Sequence, residues 1–143
     1  IKMNYDREKL IDLIIYHEGL ELKPYRCTAG HLTIGIGRNL DDRGITEDEA
    51  RFLCQNDVDI VEQELTRKFP FIVGLDDVRI RVLLDMAFNL GVPRLSAFSN
   101  MWAALEEGDY KQAAVEMLDS RWARQVGRRA TNLSQMMETG EDK

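Results

Sequence analysis

Apolar positions recur along the chain with two different periods, and the change of period marks its organisation. Over residues 6–18, Leu10, Leu13 and Ile14, flanked by Ile11 and Ile15, fall at helical spacing. Asp6 stands where an N-cap belongs and Gly19 where a left-handed stop belongs, so a first helix ending near Glu18 is predicted. From Tyr25 to Leu40 the period shortens to two. Leu32, Ile34 and Ile36 alternate with Thr33, Gly35 and Gly37, which predicts a strand with its aliphatics on one face and an almost bare second face. Asp41-Asp42-Arg43-Gly44 then reads as a turn.

The helical period returns after Thr46-Glu47-Asp48-Glu49, a capping box in which the Thr46 hydroxyl and the Glu49 carboxylate each take the other's backbone amide. A long helix is predicted, with Ala50, Leu53, Cys54, Val58, Val61 and Leu65 as its buried stripe and the break at Phe69-Pro70 as its end. Three or four more helices are predicted: about 77–90 ended by Gly91, about 97–107 ended by Gly108, about 110–119 capped by Asp109, and an arginine-rich stretch to about 138. The fold class read from these periods is α+β and mainly helical, with a small β-hairpin between the first and second helices.

Composition narrows the function classes. With 143 residues, 44% hydrophobic and 31% charged, the chain has the size and balance of one globular domain. Its longest nearly apolar run, Leu13-Ile14-Ile15-Tyr16, is far shorter than a membrane span, and the N-terminus carries no basic-then-apolar leader pattern. A net charge of −6 argues against nucleic acid and against stable membrane association, although Arg121, Arg124, Arg128 and Arg129 form one local basic cluster. Cys27, Cys54, His17 and His31 match no metal-ligand spacing, and no metal or cofactor is expected.

Candidate chemistry begins at Glu18. A carboxyl group at the C-terminal end of a helix sits beside the partial negative charge of the macrodipole, a setting that favours the protonated form a general acid needs. Nine residues on stands Cys27 and six further Thr33, on the bare strand face beside Gly35 and Gly37, where a ligand could approach the backbone closely.

The run of glutamate, eight residues, aspartate or cysteine, five residues and threonine, standing here as Glu18, Cys27 and Thr33, resembles the catalytic signature of the phage-type lysozymes, or endolysins, of glycoside hydrolase family 24. The surroundings are similar too: Leu22-Lys23-Pro24-Tyr25, Thr33-Ile34-Gly35-Ile36-Gly37, Ile45 to Ala50, Asp85 to Gly91, Ser120-Arg121-Trp122 and Arg129-Ala130. The resemblance implies a single catalytic domain over 1–143, two-lobed, with a small β-containing lobe over about 20–46 and a helical lobe over about 68–140, joined by the long helix. It implies cleavage of the β-1,4 bond between N-acetylmuramic acid and N-acetylglucosamine in bacterial peptidoglycan for host lysis. The alternatives are a lytic transglycosylase of the same fold and an inactive peptidoglycan-binding or phage structural module.

Carried over residue by residue, the resemblance makes Glu18 the acid, with Cys27 and Thr33 placing the attacking water. Leu40, Phe88, Asn89 and Gln125 fall where relatives line the saccharide groove, and Arg129 where they pair an arginine with the acid. Trp102 and Trp122 are assigned to packing, and Cys54 to the core. Arg38 stands where histidine is frequent, so a histidine-based ion pair is not expected there. A monomer is expected, made in the host cytoplasm and acting on periplasmic peptidoglycan once another protein has opened the membrane.

Overall fold

A computed structural model describes residues 2–143, and the chain divides into two compact units, Ile1–Phe52 and Leu53–Lys143. In the first, helix α1 (Arg7–Glu18) starts where the Asp6 carboxylate accepts the Lys9 amide at 3.1 Å and ends with the Gly19 amide on the Ile15 carbonyl at 2.7 Å. Both ends lie where the cap residues predict them.

Three antiparallel strands follow, β1 (Glu21–Arg26), β2 (Leu32–Gly35) and β3 (Arg38–Asn39), in that order across the sheet. The β element is therefore a three-stranded meander and not a single hairpin. The extra strand was masked by Pro24, which a sheet tolerates on an edge strand such as β1, where its missing N–H is not called on. Thr33 pairs opposite Tyr25 on one side and Asn39 on the other, and Ile34 opposite Arg38.

The strand faces differ from the alternation read above. Thr33 is 3% exposed and is the buried member of β2, whereas Leu32 and Ile34 are half-buried and Ile36 is exposed. A threonine fits where the hydroxyl is satisfied, and here it donates to the His31 carbonyl at 2.8 Å.

The sheet is tied to its surroundings by polar contacts. The Leu32 amide donates to Asp41 Oδ2 at 2.8 Å, and the Asp42 amide to Asn39 Oδ1 at 3.0 Å. The capping box forms as predicted, with Thr46 N on Glu49 Oε1 at 2.8 Å and Glu49 N on Thr46 Oγ1 at 3.1 Å. Arg38 adds a fork, Nη1 to Glu49 Oε1 at 2.8 Å and Nη2 to Glu49 Oε2 at 2.6 Å, and a third bond from Nη1 to the Gly44 carbonyl at 3.1 Å.

Helix α2 (Glu47–Lys68) carries the chain across the boundary between the units. Its predicted stripe is buried at one end only. Leu65 is fully buried and Val61 packs against the core, but Cys54, Leu53 and Ala50 are exposed, so Cys54 is not a core residue. The helical period was read correctly, but periodicity shows which positions share a face and not how far along the helix that face is covered.

In the second unit a 3-10 turn (Pro70–Gly74) leads into α3 (Asp77–Leu90), α4 (Val92–Ser96), α5 (Ser99–Glu106), α6 (Tyr110–Leu118), α7 (Arg121–Val126) and α8 (Arg128–Thr139). Asp76, Asp109 and Ser120 each cap a helix through a side-chain oxygen on the third amide beyond. The arginine-rich stretch is two helices because Gly127, at φ 59 and ψ −114, takes a conformation closed to other residues and turns the chain between them. Leu83, Met86, Leu95, Met101, Met117 and Met137 are fully buried in the core. Trp102 stacks on Phe69 at 3.6 Å between ring centroids and donates to the Leu95 carbonyl at 2.9 Å, the packing role read for it.

The Arg38 fork and the Thr46 amide hold the Glu49 carboxyl down to a pKa of about 2. A carboxyl depressed in the folded state contributes stability above its unfolded value, near 4.5, and loses it as the pH falls toward 2. The stability gap between the parent and Glu49→Gln is therefore expected to be constant above pH 5 and to close between about pH 4.5 and 2. Urea unfolding across that range checks it; a gap that stays unchanged down to pH 2 would show that the ionised pair carries none of it.

Candidate active site

Glu18 is the last residue of α1, and its side chain is exposed. Beside it lies the turn between β2 and β3. Gly37 has φ 71, and a Cβ on it would lie 2.8 Å from Glu18 Oε2, 3.3 Å from its Cδ and 3.4 Å from its Cγ. The carboxyl arm thus lies along a bare α-carbon, a close approach only glycine permits. The Gly-x-Gly spacing was read as room for a ligand; at Gly37 the room is taken by the candidate acid.

Cys27 opens the turn between β1 and β2, with the Gly30 amide on the Cys27 carbonyl at 2.8 Å and the Cys27 amide on the His31 carbonyl at 3.0 Å. The backbone of this turn lowers the pKa of the thiol. The His31 amide does most to lower the thiol's pKa; partial burial opposes it, and the Ala29 amide, the Thr33 hydroxyl and the Gly30 amide add to the lowering. Cys27 is half-buried and free, as is the exposed Cys54. Thr33 stands near enough to Cys27 to add to the lowering, while its hydroxyl donates to the His31 carbonyl at 2.8 Å.

Of the expected groove residues, Leu40 is half-buried, and its backbone is committed to the turn, with its amide on Leu32 O at 2.7 Å and its carbonyl under Gly44 N at 3.0 Å. The other four belong to the second unit. Phe88 is 46% exposed on α3, so it is not a core aromatic, and Gln125 is exposed on α7. Asn89 spends its side-chain oxygen on the indole N–H of buried Trp122, at 2.7 Å. Arg129 donates through Nε to Asp85 Oδ1 at 2.8 Å, so Asp85 holds the guanidinium that the resemblance pairs with Glu18.

Two contributors went unread. Asp85 stands one helical turn before Asn89, and its spacing marked it as a neighbour of the groove candidates. Arg38 was noticed only as a missing histidine, although an arginine eleven residues before a capping-box glutamate is a candidate for its second partner. Among the described residues no group of three or more His, Cys, Asp or Glu is placed to hold a metal ion.

Comparison with known proteins places this geometry. The family model for phage lysozyme matches residues 16–137, from the turn before Glu18 to the last turns of α8. The chain is 27% identical to a protein of Dictyostelium discoideum named "Probable T4-type lysozyme 1", covering 90% of this chain and 93% of that protein. It is 31% identical to an endolysin of Acyrthosiphon pisum secondary endosymbiont phage 1, covering 85% and 84%. It is also 26% identical to the pre-baseplate central spike protein Gp5 of Enterobacteria phage T4, of which it spans 28%.

Two measurements test the local geometry. Gly37→Ala places a side chain at a positive φ beside the Glu18 carboxylate, and a loss of about 1–3 kcal/mol in urea unfolding is expected; a neutral substitution would mean that the turn does not hold this backbone conformation. In a Cys54→Ser background, the rate of Cys27 alkylation by iodoacetamide against pH is expected to have its midpoint below about 8.5, the value of an ordinary thiol. A midpoint at or above that value would show that the turn amides do not act on the sulfur.

Proposed function

The chain belongs to the phage lysozyme family, and from that premise we propose that it hydrolyses the β-1,4 bond between N-acetylmuramic acid and N-acetylglucosamine in bacterial peptidoglycan. A peptidoglycan-lytic activity goes with the family; the bond, the residues and the biological setting are this reading. The observation that carries it is the carboxyl group of Glu18, at the end of α1, laid along the α-carbon of Gly37.

Glycoside cleavage needs a proton for the leaving oxygen and an oxygen nucleophile for the anomeric carbon. Glu18 supplies the proton. As the glycosidic C–O bond breaks, a water oxygen bonds to the anomeric carbon, and the proton that this water sheds passes to the sulfur of Cys27. The amides around that sulfur increase its thiolate share at neutral pH, which suits it both as acceptor and as a negative charge near an oxocarbenium-like transition state. Thr33 works one step back from the water, its hydroxyl held on the His31 carbonyl beside Cys27. Phe88, Gln125 and Arg129 offer an apolar ring, an amide and a guanidinium to a saccharide chain, while Asn89 acts mainly by fixing Trp122.

Among the described residues no helix is long and apolar enough to cross a membrane. In this reading the enzyme acts as a monomer on periplasmic peptidoglycan and serves host lysis.

Glu18→Gln is expected to fold and to lose at least about 100-fold in turnover on purified sacculi, the usual effect of removing a proton donor. Mass spectrometry of the parent's products is expected to show reducing N-acetylmuramic ends. Anhydro-muramic ends would identify a transglycosylase instead, and a Glu18→Gln enzyme working above a tenth of the parent rate would remove Glu18 from the chemistry.

A further inference from the structure

The wall against which Glu18 rests has no side chain of its own. Gly37 packs through its α-carbon alone, and a glycine loses more freedom on ordering than any other residue, so its neighbours must hold its position. On one side Ile36 is partly exposed and makes no polar side-chain contact. On the other, Arg38 pairs opposite Ile34 in the sheet and places its guanidinium on the Gly44 carbonyl at 3.1 Å and on both oxygens of Glu49 at 2.8 and 2.6 Å. The Glu49 carboxylate is itself fixed by the Thr46 amide at 2.8 Å, so the anchor is the first turn of α2.

We infer that Arg38 is a positioning residue for catalysis: its fork on Glu49 holds the α-carbon of Gly37 where that carbon confines the Glu18 carboxyl. This rests on Glu18 being the acid. The side chain of Arg38 is only 25% exposed, and its charge is answered by Glu49, so it steadies the turn without presenting a free cation to the acid. The other charged groups on the segments around it are Asp41, Asp42, Arg43, Glu47 and Asp48. Asp41 takes the Leu32 amide, Asp42 is bonded to Asn39, and Glu47 is paired with Arg51. A planar, permanently charged fork also keeps the tie closed across the whole pH range in which a glycosidase works, which an imidazole would not do.

The test measures kcat and KM on soluble, uncross-linked peptidoglycan strands, at temperatures below each variant's melting transition. Arg38→Gln is expected to lower kcat by about tenfold or more while KM stays within about twofold, because a misplaced catalytic group slows the chemical step and leaves substrate binding alone. Arg38→His adds a readout that a purely structural role would not move. Its imidazolium pairs with Glu49 only below its own pKa, which starts near 6.5 and is raised by the carboxylate. Turnover should therefore be near that of the parent at pH 5–6 and fall as the pH rises above about 7, giving a limb absent from the parent profile.

A parental kcat in Arg38→Gln, or an Arg38→His profile parallel to the parent's, overturns the inference. Should Arg38→Gln fail to fold, the Arg38→His profile decides alone. Parental Arg38 variants beside a dead Glu18→Gln enzyme sink the positioning role and spare the function, whereas an active Glu18→Gln enzyme sinks both.

Discussion

A carboxyl group that is to give up a proton at one atom of a sugar chain must be held still without being paired, since a neighbouring cation would keep it ionised. In the proposed mechanism Glu18 is that group, and the α-carbon of Gly37 bounds its arm on one side. The Glu18 arm lies on the α-carbon of Gly37, close enough that a single added methyl would strike Oε2. The wall adds no charge and takes up no hydrogen-bonding capacity, so the carboxyl keeps both oxygens for substrate. The consequence is that the burden of order moves to the wall, and much of the first unit's bonding pattern follows from it.

Each unit is stabilised within itself by different means. All the fully buried apolar side chains among the described residues belong to the second, from Leu65 to Met137, where aliphatics, methionines and two tryptophans fill the space between short helices. Methionine suits a core assembled from six helical pieces, because an unbranched, polarizable chain fills irregular gaps. The first unit relies on directed contacts: a capping box, the Arg38 fork, Asp41 on the Leu32 amide and the Asn39–Asp42 exchange. Apolar packing is tolerant of small shifts, whereas a forked ion pair and a tight turn fix position and direction. A catalytic edge built from the second kind of contact has geometry as its main product, and it places little weight on burial.

What could be read from the chain alone was what depends on neighbours in sequence. Asp6, Thr46 with Glu49, Asp109 and the glycines after the helices act within one turn, and the elements they flank begin and end where these residues put them. The family resemblance lay in the same short-range signals, Glu18 with Cys27 and Thr33. What could not be read depends on neighbours in space. Pro24 concealed a strand because edge position is a property of the sheet. Cys54 shares a stripe with Leu65, yet only one end of that stripe is covered. Thr33 appeared to look outward because alternation assigns aliphatics to the core, and a single satisfied hydroxyl reverses that assignment. The partners of Arg38 and Asp85 lie 11 and 44 residues away, so sequence spacing could mark these residues as neighbours of the site but not name what each one pairs with.

The choice of cysteine at position 27 gains a physical meaning from its turn. A thiol in water is mostly protonated at neutral pH and would be a weak partner for a developing oxocarbenium ion. Here the chain folds back at Cys27–Gly30, and the neighbouring backbone amides, that of His31 foremost, lower the thiol's pKa against the opposing effect of burial. Those donors recognise negative charge rather than sulfur. An aspartate oxygen would meet the same amides, so the turn accounts for why either residue can stand at this place in a sequence pattern. The backbone supplies the preference for an anion, and the side chain decides how readily, and over what pH range, that anion also takes a proton.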